Sequence, residues 1–212
     1  MYKLYIALLS LLSFTSYAQE PEISLSGLGI RPISSIHVDD GNFNLSGSIF
    51  LDSKWKESKI KMNGFDKIHE YPSKINLKSG MIHVEIRGQE YAIKSSNIDY
   101  LIYFDNQKFV FHNKISSLVE IILEKDSVFL YKRLNLKLKK GDYNPALDAG
   151  VKNDRWIQEP VYHISLGEEL HEVKNKKGLH NFLLEQGLRI KRSSMPNKNN
   201  EKQLISLLSK LY

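Results

Sequence analysis

The sequence predicts a mainly β fold with its α content confined to the C-terminus: an antiparallel meander curled into an open barrel or sandwich, followed by two amphipathic helices. Three observations carry this expectation. From about Ile23 to Lys174, short runs rich in Ile, Val, Phe and Tyr alternate apolar and polar residues, the period of a half-buried strand. Clusters of Gly, Asn, Asp and Ser separate those runs, and these residues favour tight turns. After Lys177 the apolar period lengthens to that of a helix.

The chain opens with Lys3, the apolar run LYIALLSLLSF, and Ser16 and Ala18 as a small-x-small pair. This pattern predicts a secretory signal segment over residues 1–18, cleaved between Ala18 and Gln19. Its apolar run is shorter than the roughly 20 residues a membrane-spanning helix needs. The chain contains no cysteine, which excludes disulfides, thiol catalysis and a lipid-modified cysteine. A chain of this length can bury an adequate core without disulfides. The expected location is therefore the periplasm or the extracellular medium. Residues 19–176 are expected to form the antiparallel β domain, and residues 177–212 a helical appendage packed on it.

Within the β domain, KINLK and MIHVEIR flank Ser79-Gly80, IDYLIYF and KFVFHNK flank Asp105-Asn106-Gln107, and LVEIILE meets VFLYKRLNLKLK at Lys125-Asp126. Each pair predicts a hairpin. In the last strand Val128, Leu130, Leu134, Leu136 and Leu138 share one face, while Arg133, Asn135, Lys137 and Lys139 share the other. Only Lys132 interrupts the apolar stripe. In MIHVEIRGQEYAIK, Gly88-Gln89 reads as a two-residue type II′ loop. That register sets Arg87 opposite Glu90, Glu85 opposite Ala92 and His83 opposite Lys94. Between Gly141 and Pro160 the periodicity fails, and a long irregular loop is expected. Tyr143, Arg155 and Trp156 are its candidate binding residues, by stacking or capping; the competing role for Trp156 is to open the next strand.

In the appendage, Leu179, Phe182 and Leu183 share a helical face, with Gly187 placed to end the helix. Asn200 is a predicted cap with Gln203 at the third helical position, and Leu204, Leu207, Leu208 and Leu211 recur at i, i+3, i+4 and i+7. Both apolar faces are expected to dock against the sheet.

The formal charge is +6, and removing residues 1–18 takes away only Lys3. The charges are scattered, which describes a solvated surface. Nucleic-acid binding is not expected, because the basic stretch GLRIKRSSMPNKNNEK carries no aromatic residue. The seven histidines show no zinc spacing: His171-Glu172 lacks a second histidine four positions after the first. No metal or cofactor is expected. Ser53 to Lys56 and Ser58 to Lys61 match Ser-x-x-Lys, but the companion Ser-Asp-Asn and Lys-Thr-Gly elements are missing. The leading expectation is a non-enzymatic envelope or secreted binding module, its partner an envelope protein or a polysaccharide. Eleven tyrosines and two tryptophans could supply stacking surfaces for a glycan. Two alternatives remain: a hydrolase pairing a carboxylate with His83, His112, His163 or His171, and peripheral membrane contact through the basic C-terminus.

Through GSIFLD, YPSKINLKSGMIHVEIRGQEYAI and EKQLISLLSKLY, the chain resembles a group of exported, cysteine-free, β-rich proteins of Gram-negative bacteria of the Bacteroidetes type. In that group the strand represented by Ser73-Lys74-Ile75-Asn76 reads more like Arg-Tyr-Asn. The resemblance implies export and β architecture, and offers no catalytic residues to carry over.

Overall fold

The computed structural model describes residues 30–33 and 45–211. The predicted signal segment, its Ala18-Gln19 cleavage point and the first strand-like residues from Ile23 lie outside that range. Among the described residues eleven strands form one antiparallel sheet: β1 (Ile30–Pro32), β2 (Lys56–Met62), β3 (Ile68–Asn76), β4 (Met81–Ile86), β5 (Gln89–Lys94), β6 (Ile98–Ile102), β7 (Lys108–His112), β8 (Ser117–Lys125), β9 (Val128–Lys139), β10 (Arg155–Leu166) and β11 (Glu169–Glu172). Their order is β1-β5-β4-β3-β2-β6-β7-β8-β9-β10-β11. The sheet is thus two meanders joined at β2 and β6, and it stays open. The join arises because the chain leaves β5 through a short helical turn, Ser95–Asn97, and returns on the far side of β2.

Alternation along the strands puts the large apolar side chains on one face, which becomes two cores. Ile60, Ile75, Ile82, Val84, Ile93 and Leu101 are fully buried within the first. Val128, Leu130 and Ile164 belong to the second, where helices α1 (Lys176–Glu185) and α2 (Glu201–Leu208) cover the sheet with Leu179, Leu183, Leu204 and Leu208. Burying each such leucine is worth roughly 1.5–3 kcal/mol. The predicted caps form: Asn200 Oδ1 accepts the Gln203 N–H at 3.0 Å, and Gly187 follows α1 with φ +77°. The leucines Leu179, Leu183, Leu204 and Leu208 of the two helices are thus spent on the sheet.

The β4–β5 turn corrects the predicted register. The loop is Arg87-Gly88, both with positive φ (52° and 76°), so it is of type I′, which matches the twist of the flanking strands. Glu85 then faces Glu90 and His83 faces Ala92. The correction keeps every side chain on its predicted face but moves its neighbours. His83 now lies diagonally from Glu90, Nδ1 to Oε1 2.8 Å. It is buried beneath the edge of Phe50, with ring centroids 5.1 Å apart.

Phe50 belongs to an extended strap that ties the two halves together. Leu51 N donates to the Ile75 carbonyl and Leu77 N to the Ile49 carbonyl (both 2.8 Å), while Trp156 N donates to the Ser46 carbonyl (2.8 Å). The conformation needs Gly47: its φ is +90°, and a Cβ there would stand 2.5 Å from the Trp156 carbonyl oxygen. Gly47→Ala is expected to destabilise the protein by on the order of 2 kcal/mol, read as a lowered urea midpoint. An unchanged midpoint would show that the strap contributes nothing to stability.

The irregular region is shorter than predicted, because β10 already begins at Arg155 and pairs with β9 along its whole length. Pro160 is tolerated inside β10 because β11 pairs only with residues from His163 onward, leaving an edge where no N–H is needed.

Candidate functional site

A cleft of about 370 Å³ opens beside β2, β3 and β6. Strand alternation supplies its floor: Glu57 and Lys59 from β2, Glu70 from β3 and Ile102 from β6 line it. The turn Phe104-Asp105-Asn106 forms the rim. Phe104 is 48% exposed, an unusual place for a large apolar ring beside charged groups. Lys56 Nζ sits 4.0 Å from its ring centroid, an attraction worth about 0.5–1 kcal/mol at an exposed site. Lys59 Nζ and Glu70 Oε1 pair at 3.3 Å across the floor.

Backbone strain accompanies this rim. Asp105 and Asn106 are both left-handed, with φ of 57° and 61°, a region that costs L-residues energy although Asn and Asp tolerate it best. The turn is held from both sides. Tyr103 N donates to the Gln107 carbonyl at 2.7 Å, and the Tyr103 ring is buried edge-on against Phe109 at 6.1 Å. Burial first, and then the nearby Asp52 charge, push the Tyr103 phenol up, so it stays neutral at every physiological pH. Gln107 Nε2 donates to Glu120 Oε1 at 3.0 Å.

That last bond ties the rim to a charged cluster at the seam between the two cores. Lys132, the residue that breaks the apolar stripe of β9, pairs with Glu120 Oε2 at 2.8 Å and with Glu201 Oε2 of α2 at 3.3 Å. The Tyr162 hydroxyl donates to Glu201 at 2.9 Å. Burial alone would lower the Lys132 pKa, but the hydrogen bond it donates to Glu120 and the two carboxylate charges outweigh it and raise it. A lysine held protonated in this way is a fastener rather than a nucleophile or base. A small cavity of about 40 Å³ beside it is walled by Leu51, Leu77, Phe109, Leu118 and Leu134 among others.

The sequence-predicted binding residues lie elsewhere. Tyr143 is in the β9–β10 connection, its hydroxyl bonded to Asp148 at 2.6 Å. Arg155 and Trp156 open β10, opposite Lys139 and Leu138. Trp156 therefore takes its strand-opening role, and none of the three lines the cleft. The cleft residues were hidden from sequence reasoning because they meet across β2, β3 and β6; the one local signal was the Asp105-Asn106 turn.

The hydrolase alternative needs histidines converging with carboxylates in one pocket. The structure sets His83 apart but brings His112 and His171 near enough to His163 for their charges to bear on it, and it gathers these rings in neither cavity described above. His83 bonds Glu90 in the first half, whereas His163 lies 3.9 Å from Glu172 in the second. His112 packs edge-on to Tyr131 and His171 stacks flat on Phe182. Neither cavity contains a histidine, and among the described residues no group of three or more His, Asp or Glu side chains is arranged to hold a metal. No helix among the described residues is long and apolar enough to cross a membrane. Comparisons with protein-family models, curated proteins and solved structures give no match.

Proposed function

We propose that this chain is an exported, non-enzymatic module of a bacterial envelope or its surroundings that binds a sugar-containing polymer in the cleft beside β2, β3 and β6. The observation that carries the reading is the half-exposed Phe104 ring, set above a floor of Glu57, Lys59 and Glu70 and flanked by Asp105 and Asn106. A sugar presents apolar C–H faces and a ring of hydroxyls, so it needs one exposed aromatic surface and several polar side chains around it. The cleft supplies both, and its volume falls within the usual range of small-molecule sites. The apolar segment that follows Lys3 supports export, and so does the resemblance to exported β-rich proteins.

Strain at the rim gives the proposal a two-part test. Replacing Asp105 and Asn106 together by glycine relieves the left-handed conformation and removes two polar groups. Stability is expected to rise by about 0.5–1 kcal/mol while saccharide affinity falls. Phe104→Ala should weaken binding by about 1 kcal/mol, roughly fivefold. Isothermal titration with oligosaccharides prepared from bacterial envelope polysaccharide reads the affinities, and urea denaturation the stabilities. Absence of saccharide binding by the wild-type chain, or binding that Phe104→Ala leaves intact, overturns the proposal.

A further inference from the structure

We infer a second interaction surface at the tip of the β9–β10 connection, and that it docks on a membrane surface rich in anionic lipid. This inference is independent of the saccharide cleft. The connection is a built structure that projects into solvent. Asp142 N donates to the Val151 carbonyl (3.0 Å) and Asn144 N to the Ala149 carbonyl (2.8 Å). Asp142 Oδ1 accepts the Val151 N–H and Asp154 Oδ1 the Gly141 N–H, both at 2.9 Å. Two backbone crossings are too close for any side chain. A Cβ at Gly141 would lie 2.7 Å from the Val151 and Lys152 carbonyl oxygens, and one at Gly150 would lie 2.5 Å from the Asp142 carbonyl oxygen.

What this scaffold holds outward is apolar. Leu147 at the apex is 73% exposed, and Leu138 and Val151 on the shoulder are 44% and 40% exposed. A loop serving only as a connection has no reason to fix a leucine in water with its own hydrogen bonds. The connection and the strand ends that carry it supply Lys139, Lys140, Lys152 and Arg155, while Lys137 is paired with Glu159. Asp142 and Asp154 accept backbone amides and Asp148 the Tyr143 hydroxyl; the Asp142 charge also faces Lys139 and Arg155, which leaves Lys140 and Lys152 as the cations set against the lipid. Lys152 lies 4.5 Å from the Tyr143 ring centroid, so its charge is kept beside the tip. A shallow apolar apex backed by cations complements a bilayer surface, where apolar side chains enter the headgroup boundary and each cation near anionic lipid adds attraction.

Flotation of the full chain with vesicles tests this. One set is phosphatidylglycerol mixed with phosphatidylcholine, the other phosphatidylcholine alone. Wild-type protein should float with the anionic set at low salt and be released as salt is raised. Leu147→Asp, and separately Lys140→Glu with Lys152→Glu, should each reduce that binding about tenfold. Far-ultraviolet circular dichroism should stay unchanged, because every substituted side chain is exposed. Phe104→Ala should float like the wild type, which separates this surface from the saccharide cleft. Residues 1–18 are common to all variants, so any contribution from them cancels in the comparison. Equal flotation of wild type and Leu147→Asp overturns the inference. So does equal binding to both vesicle sets, or wild-type binding to an acidic protein but to neither vesicle.

Discussion

Lys132→Met is expected to destabilise the protein by about 3 kcal/mol, because it leaves Glu120, only 7% exposed, with a buried charge and no cation to answer it. The loss should exceed that of the paired change Glu120→Leu with Lys132→Met. Replacing both members by apolar groups removes the desolvation penalty along with the attraction, and such swaps are often neutral or stabilising. Urea denaturation at neutral pH checks both variants, with the slope against urea required to stay constant so that the midpoints report stability. If the single and double variants are equally mild, the Glu120–Lys132–Glu201 cluster is not a fastener. Its pH dependence has a definite sign. A lysine whose pKa is raised on folding contributes stability that is complete below its unfolded pKa of about 10.4, and the contribution fades as pH climbs through the folded value. The cluster joins β8, β9 and α2, and Gln107 links it to the cleft rim. Lys132→Met should therefore also weaken saccharide binding, by loosening the turn that carries Phe104.

Local pattern and tertiary pairing divided the legibility of this fold. The limits of β9 could be read directly from VFLYKRLNLKLK, because twelve alternating residues between turn signals leave little freedom. The helix caps were equally legible, since an Asn or Gly at a helix end acts within one turn. The β4–β5 turn was displaced by one residue and the register with it by two, because Gly88 suits either central position of a primed turn and the outcome depends on whether Arg87 accepts a positive φ. The strap also escaped. Nothing near GSIFLD signals that Ser46 meets Trp156 while Leu51 meets Ile75, since both pairings span long stretches of chain. The break in the apolar stripe at Lys132 was visible, but its explanation required Glu120 and Glu201 from two other elements. For the same reason the cleft could not be read from one dimension. Its floor is assembled from polar residues that look, strand by strand, like an ordinary wet face.

The second large effect is acid sensitivity above the range where carboxylates titrate. His163 is 5% exposed, and burial, aided by the Arg133 charge, lowers its pKa to about 4. His112, His69 and His171, the last half-buried and stacked on Phe182, are lowered as well, chiefly by desolvation. Their common sign decides the direction. In the unfolded chain these imidazoles take up protons near pH 6.5, whereas in the folded protein they do so only at lower pH, His163 at about 4. Between those values the unfolded state binds more protons, so stability is complete above pH 6.5 and declines as pH falls toward 4. For His163 alone the decline amounts to about 3 kcal/mol over that window. Urea midpoints taken between pH 7 and pH 5 should therefore drop steadily, and His163→Gln should flatten that slope whatever its own effect on the pH 7 midpoint. Proton resonances of the imidazoles give a direct check: the His163 ring should remain unprotonated at pH 5. A ring that titrates near 6.5, or a midpoint constant down to pH 5, would show that β10 leaves this histidine open to water. The packing of Tyr131 and Arg133 beside it would then be looser than the structure describes.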